Sequence, residues 1–313
     1  MNRKSIVLFV MTALSCGVFA QEAATEEEKG SFETPSFVSG EFGLSLESKY
    51  LRYGLPLNNE PMYMPTAEVT FFDFLFIGVE AIGDVTKYGK KVQKLYHEDD
   101  EYSPYRNRRG VITELDPYFG FTHSFSPDEF EWLPTTVEVS IDWCYERSFV
   151  AEKAYVQEET GHNHEDSQFI DLEIALPDLW LEPKFWMERD IYRDNGTYLN
   201  FELGHTFAII DSESEDEDAE PTVGLRLSAA QSWGDKKRVA YYTESSHAGL
   251  MDTVLKAELT WNICDNFAVS CYALYSDFIF DRKMRHLARE YEETGKWDES
   301  YNFLGGVAAK FSF

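Results

Sequence analysis

From Tyr301 to Phe313 the chain changes character at every residue. Odd positions carry Tyr301, Phe303, Gly305, Val307, Ala309, Phe311 and Phe313, and even positions carry Asn302, Leu304, Gly306, Ala308, Lys310 and Ser312. A two-residue period puts one set on each side of an extended backbone, so this stretch reads as a β-strand. The same period is sharper from Val137 onward. Val137, Val139, Ile141, Trp143 and Tyr145 alternate with Glu138, Ser140, Asp142, Cys144 and Glu146. A helix would scatter these residues around its circumference, whereas a strand sorts them into an apolar and a polar face.

Further segments repeat the pattern. They are 42–54, 65–71, 75–81, 111–125, 170–176, 179–191, 199–209, 223–233, 255–263 and 267–277. With the two above, about twelve strands are predicted, without a domain linker or a solenoid repeat. Phe72-Asp73, Pro177-Asp178 and Asp265-Asn266 read as tight links, and Asp194-Asn195-Gly196 as a type I′ hairpin, because Asn-Gly accepts positive φ. Residues 281–300 have room for a short helix in a loop.

The connections divide by length. Those centred on 55–63, 85–109, 150–167, 234–251 and 280–300 are long, and they alternate along the chain with shorter ones at 72–73, 126–133, 177–178 and 264–266. The Asn-Gly hairpin and the acidic stretch 211–220 depart from the rule. An even number of strands with long connections at one end and short ones at the other is the pattern of an up-and-down barrel. A sandwich has no reason to sort its loops in this way.

Residues 1–20 combine Arg3 and Lys4, an apolar run and a small-residue site ending at Ala20, as a secretory signal peptide does. Residues 21–36 are acidic and unpatterned, a disordered leader, and 37–313 form the expected barrel. The formal net charge is −28, which excludes attraction to nucleic acid. Cys144, Cys264 and Cys271 follow the leader, an odd number that makes no disulfide framework. Aromatic residues reach 16%, yet mean hydropathy is −0.39. Strands with one greasy and one wet face account for both values. The fold class expected is therefore all-β, a single antiparallel transmembrane barrel of the Gram-negative outer membrane, with lipid as its outer partner.

If apolar faces meet lipid, the opposite faces line the lumen. One wall then carries Glu114, Asp116, Glu138, Asp142, Glu146, Asp171, Glu173, Glu188 and Glu202, with Glu182 and Asp190 near them and Lys184 as the one cation among them. The facing arc carries Lys49, Arg226, Lys256 and Lys310. An acidic wall facing a basic arc orients polar solutes and favours cations, so small polar solutes are the expected cargo of a porin-like channel. A plugged barrel with a surface or binding role is the other reading. His162, His164 and Glu165 form a loop cluster with metal-ligand chemistry, although two histidines in a polar loop are more often simply hydrated. No cofactor is expected. An enzyme is not expected either, because His123 and His205 fall on the lipid side and Ser140 and Ser228 stand in no motif.

Ser48-Lys49-Tyr50-Leu51-Arg52-Tyr53-Gly54-Leu55, then Pro61 and Ile77-Gly78-Val79, resembles the opening of an uncharacterised family of bacterial outer-membrane β-barrel proteins. In that pattern an Arg-Gly pair follows the tyrosine strand; here Tyr53 stands between Arg52 and Gly54. The aromatic end at Phe311 and Phe313 is similar to the assembly signal of such barrels, which implies the barrel-assembly machinery as a partner. The resemblance implies location and fold, and it carries no activity.

Overall fold

A computed structural model describes residues 37–58, 60–85, 112–148, 166–212, 220–243, 247–293 and 300–313. Residues 1–20 and 21–36, expected as signal peptide and leader, and the His162, His164 and Glu165 cluster lie outside these residues.

The strands are β1 (Val38–Glu47), β2 (Tyr50–Arg52), β3 (Leu55–Asn58), β4 (Met62–Phe71), β5 (Leu75–Asp84), β6 (Ile112–Phe125) and β7 (Val137–Ser148). They continue with β8 (Ser167–Ala175), β9 (Lys184–Asp190), β10 (Thr197–Ile210), β11 (Val223–Gly234), β12 (Gly249–Cys264), β13 (Phe267–Asp277) and β14 (Asn302–Ser312). Among the described residues two helices, α1 (Lys236–Thr243) and α2 (Arg282–Glu293), sit in the connections before β12 and β14.

Twelve strands close into one antiparallel barrel, and β2 and β3 form a separate two-stranded hairpin. Closure is made by β1 on β14, from Glu41 opposite Ser312 to Glu47 opposite Gly306. The amide and carbonyl of Gly40 exchange hydrogen bonds of 3.0 Å with those of Phe313. Each remaining barrel strand pairs with the barrel strands next to it in sequence, so the ring itself is closed.

The alternation in the sequence becomes the two faces of the wall. On β12, Leu255, Leu259, Trp261 and Ile263 point outward and are 42–53% exposed. Between them Lys256, Glu258, Thr260 and Asn262 point inward, where Lys256 and Glu258 pair. The outward face elsewhere includes Leu44, Ile77, Phe119, Phe121, Ile141, Phe201, Phe207 and Phe303. A continuous band of exposed apolar side chains around a closed barrel is stable against hydrocarbon and unstable against water. Among the described residues no helix is long and apolar enough to cross a membrane.

The twelve-strand barrel matches the reading of the sequence, and several boundaries differ from it. The first barrel strand stops at Glu47; the chain bends at Ser48-Lys49 and turns back as the β2–β3 hairpin instead of running on to Gly54. Tyr53 and Gly54 have φ of 54° and 78°, the left-handed pair of a type I′ turn. Residues 177–181 form turns, and β9 begins only at Lys184, after Glu182 with its φ of 38°. Asn195 takes φ of 51° but Gly196 does not follow it, so the expected tight hairpin is replaced by the longer connection 191–196. That connection is held by Asp190, which accepts from the amides of Tyr192 at 2.8 Å and Arg193 at 2.7 Å. Phe72-Asp73 does form a tight turn, with φ of 56° and 60°.

The wall assignment is tested by charge. Leu259→Arg, on the outward face, is expected to cost about 2–4 kcal/mol near the bilayer midplane, whereas Ser270→Arg on the inward face costs far less. Urea unfolding of the barrel in lipid vesicles measures both, and equal costs would contradict an outward hydrocarbon face.

Candidate functional site

The site is the outer half of the lumen, at the end opposite the termini. Three chain segments fold into it: the β2–β3 hairpin, the 191–196 connection and α1. Each brings an arginine.

Arg52 stands two residues before the hairpin's Gly54 and reaches carboxylates from three wall strands. It pairs with Glu146 of β7 and lies 3.6 Å from Glu114 of β6 and 3.8 Å from Glu188 of β9. Arg193 meets the other oxygen of Glu146 at 2.5 Å. Arg238 of α1 has no exposed surface; it lies 2.7 Å from Glu188 and 3.2 Å from Asp194. Its Nη1 also donates to Tyr53 Oη at 2.6 Å, and Tyr53 donates in turn to Glu188. All three guanidiniums face the ring of Phe169, which is 2% exposed, at 5.1, 5.9 and 5.7 Å for Arg52, Arg193 and Arg238. Carboxylates with an aromatic face between them make a cation site, and the chain fills it with its own arginines.

An apolar cluster seals the same end. Tyr53 and Leu55 of the hairpin pack with Tyr198, Val239, Met251, Phe278, Met284 and Ala288, and Trp186 and Leu287 lie against them. This is the packed core of the molecule, and it lies inside the barrel mouth. Gly54 is tied down twice. Its carbonyl accepts from Asn302 Nδ2 at 3.1 Å, and a side chain there would strike Asp252. α2 is capped by Asp281, which accepts from the amides of Lys283 at 2.8 Å and Met284 at 3.0 Å and meets His247 Nε2 at 2.7 Å. Burial pushes this carboxyl up, but the Met284 amide, His247 and the Lys283 amide outweigh it and hold it below its ordinary value.

The other wall residues singled out from the sequence lie as follows. Asp116 is one inward step below Glu114 on β6, and Asp142 of β7 stands in register with Asp171 of β8. Glu173 pairs with Lys184 at 2.6 Å, and Glu138 is exposed near the terminus-side rim. Glu202 meets Arg226 at 3.2 Å, and Arg226 also pairs with Glu182 in its turn. Lys256 meets Glu258 at 2.7 Å, and Lys310 meets Glu41 at 3.0 Å. Lys49 sits in the bend after β1, off the barrel wall. The arc cations Arg226, Lys256 and Lys310 thus have carboxylates beside them, while the acidic wall is met by arginines from the loops. Phe311 and Phe313 are both exposed on the closing strand's outer side, with ring centres 6.5 Å apart.

Sequence reasoning missed Arg52, Tyr53, Phe169, Arg193 and Arg238. Gly54 in a supposed barrel strand, just before a proline-containing loop, was the available signal, since glycine there also suits a turn. His123 meets Phe125 edge to face, and Ser140 donates to the Phe121 carbonyl. Towards the terminus-side end the lumen opens into a cavity of about 420 Å³ lined by Thr206, Arg226, Glu258, Thr260, Ser270 and Lys310 among others.

No protein-family model matches the chain, and no curated protein matches it either. Among solved structures, the KdgM porin aligns at a TM-score of 0.44 with 6% identity, over 88% of this chain and 99% of that one. An outer membrane channel from Pseudomonas putida F1 aligns at 0.46 with 8% identity, over 92% and 100%. Salmonella typhi OmpF aligns at 0.32 with 7% identity, over 88% and 97%. At such scores the likeness carries nothing about function.

The arginine layer has a measurable weight. Arg238→Ala takes from the buried Glu188 and Asp194 the cation nearest them and is expected to destabilise the barrel by about 3–5 kcal/mol. Adding Glu188→Gln is expected to return part of that loss. Urea unfolding of both variants in vesicles reads this, and strictly additive losses would show that the pair does not act as a unit.

Proposed function

We propose that the protein is a bacterial outer-membrane channel that passes small polar or cationic solutes along an acidic lumen. The observation that carries this reading is the charge of the inward face. Glu114, Asp116, Asp142, Glu146, Asp171, Glu173 and Glu188 stand on four consecutive strands, and Lys184 is the one basic side chain that the same strands turn toward them. Carboxylates crowded in a narrow, low-dielectric passage lower the energy of a cation and raise that of an anion. The cavity at the terminus-side end gives such a solute a wet compartment on the wall's far side. The apolar outer face supports the outer membrane as its location, and the exposed aromatic pair Phe311 and Phe313 supports delivery by the barrel-assembly machinery.

One observation favours the second reading, a plugged barrel with a surface role and no transport. The hairpin, α1 and the apolar cluster occupy the outer mouth. The two readings part on conductance. Purified protein in a planar lipid bilayer is expected to give discrete current steps, with a reversal potential in a salt gradient that indicates cation preference. Anion preference would contradict the acidic-wall reading, and a silent bilayer across wild-type and mouth-opened variants would favour the plugged one.

A further inference from the structure

The hairpin is built differently from the wall it touches. It is a separate two-stranded sheet, with no backbone ladder to any barrel strand. What holds it is side-chain chemistry: Arg52 on its carboxylates, Tyr53 on Glu188 and Arg238, the Asn302 contact to Gly54, and Leu55 in the apolar cluster. Its two ends are fixed to the wall instead. The Ser48 amide donates to the Gly305 carbonyl at 2.9 Å and the Ser48 hydroxyl accepts from the Gly305 amide at 3.0 Å. At the other end the Val85 amide donates to the Pro61 carbonyl at 3.0 Å. A short element anchored at both feet, and held at its tip by ionic and apolar side-chain contacts, can leave as a unit without breaking the barrel.

We propose that the β2–β3 hairpin is a tethered plug, and that Arg52 occupies the guanidinium site formed by Glu114, Glu146, Glu188 and Phe169 in the cation path. The chain blocks its own lumen with a side chain of the chemistry that the lumen favours. Passage requires the tip to withdraw, which exposes the carboxylates to a passing cation. This rests on the channel reading above and adds the device that closes it. The geometry is specific: carboxylates from β6, β7 and β9 converge on one guanidinium that also lies 5.1 Å from the Phe169 ring. A planar ion with five donors fits that set better than a compact ammonium does.

The test compares wild type with Arg52→Gln, with Glu114→Gln/Glu146→Gln, and with a variant in which residues 50–58 are replaced by a glycine–serine linker. Heat-modifiable migration on gels confirms that each barrel is folded before it enters the bilayer. Arg52→Gln and the linker variant are expected to raise the mean conductance several-fold over wild type. Millimolar methylguanidinium is then expected to restore block in Arg52→Gln at lower concentration than tetramethylammonium does, and to lose that advantage when Glu114→Gln/Glu146→Gln is added. Folded variants that conduct as wild type does would overturn the plug and leave the channel reading intact. Variants that open but show no preference for methylguanidinium would overturn the assigned site. A folded linker variant that passes no current would overturn the channel reading, and the gate with it.

Discussion

Everything in this molecule depends on β1 finding β14. A strand in hydrocarbon has no water for its amides and carbonyls, and an open sheet edge there would leave a row of polar groups unpaired at several kcal/mol each. The register from Glu41–Ser312 to Glu47–Gly306 removes that edge. Once the ring is closed, the pleat fixes the rest. Every strand must show one side to lipid and the other to the lumen, and a slip of one residue would exchange the two throughout that strand.

The lumen then inherits a difficulty. The sequence places acidic side chains inward on strand after strand, in a space too narrow to hydrate them all. Charges taken out of water must be matched, and an unmatched partner is costly. The chain meets this at the outer mouth by folding three loop segments back inside. Glu146 is shared by Arg52 and Arg193, and Glu188 by Tyr53 and Arg238. The pairs do not stand alone, because the same segments supply Tyr53, Leu55 and Val239 to an apolar cluster with wall residues Tyr198 and Met251. Ionic matching and apolar burial therefore act on one element, and both would have to yield together for the mouth to open.

The barrel was legible because a two-residue period is a direct property of the strand, and it runs through most of each wall segment. What was not legible lies where that period ends for reasons of packing. Tyr50 continues the apolar face of Phe42, Leu44 and Leu46 well enough to hide the bend at Ser48-Lys49, and tyrosine is an uncommon residue for the positive φ that Tyr53 adopts. The start of β12 was placed late because Met251 and Asp252 serve the mouth rather than the lipid face, which breaks the alternation there. α1 was read as loop, since its Val239 and Arg238 are buried by partners far away in sequence. The carboxylates could be picked out one strand at a time. The arginines that meet them could not, because loop residues carry no periodicity to say which way they point.

The orientation of the wall is reached most directly by labelling β12 with nitroxides at single cysteines from 253 to 263, in a background where Cys144, Cys264 and Cys271 are replaced. Collision with oxygen, which concentrates in lipid, should peak at 255, 257, 259, 261 and 263, and collision with a water-soluble nickel chelate should stay low there. A barrel with a wet interior requires the two signals to run out of phase with a period of two. In-phase signals, or oxygen access that is uniformly low along the strand, would mean that the greasy face meets protein instead of lipid.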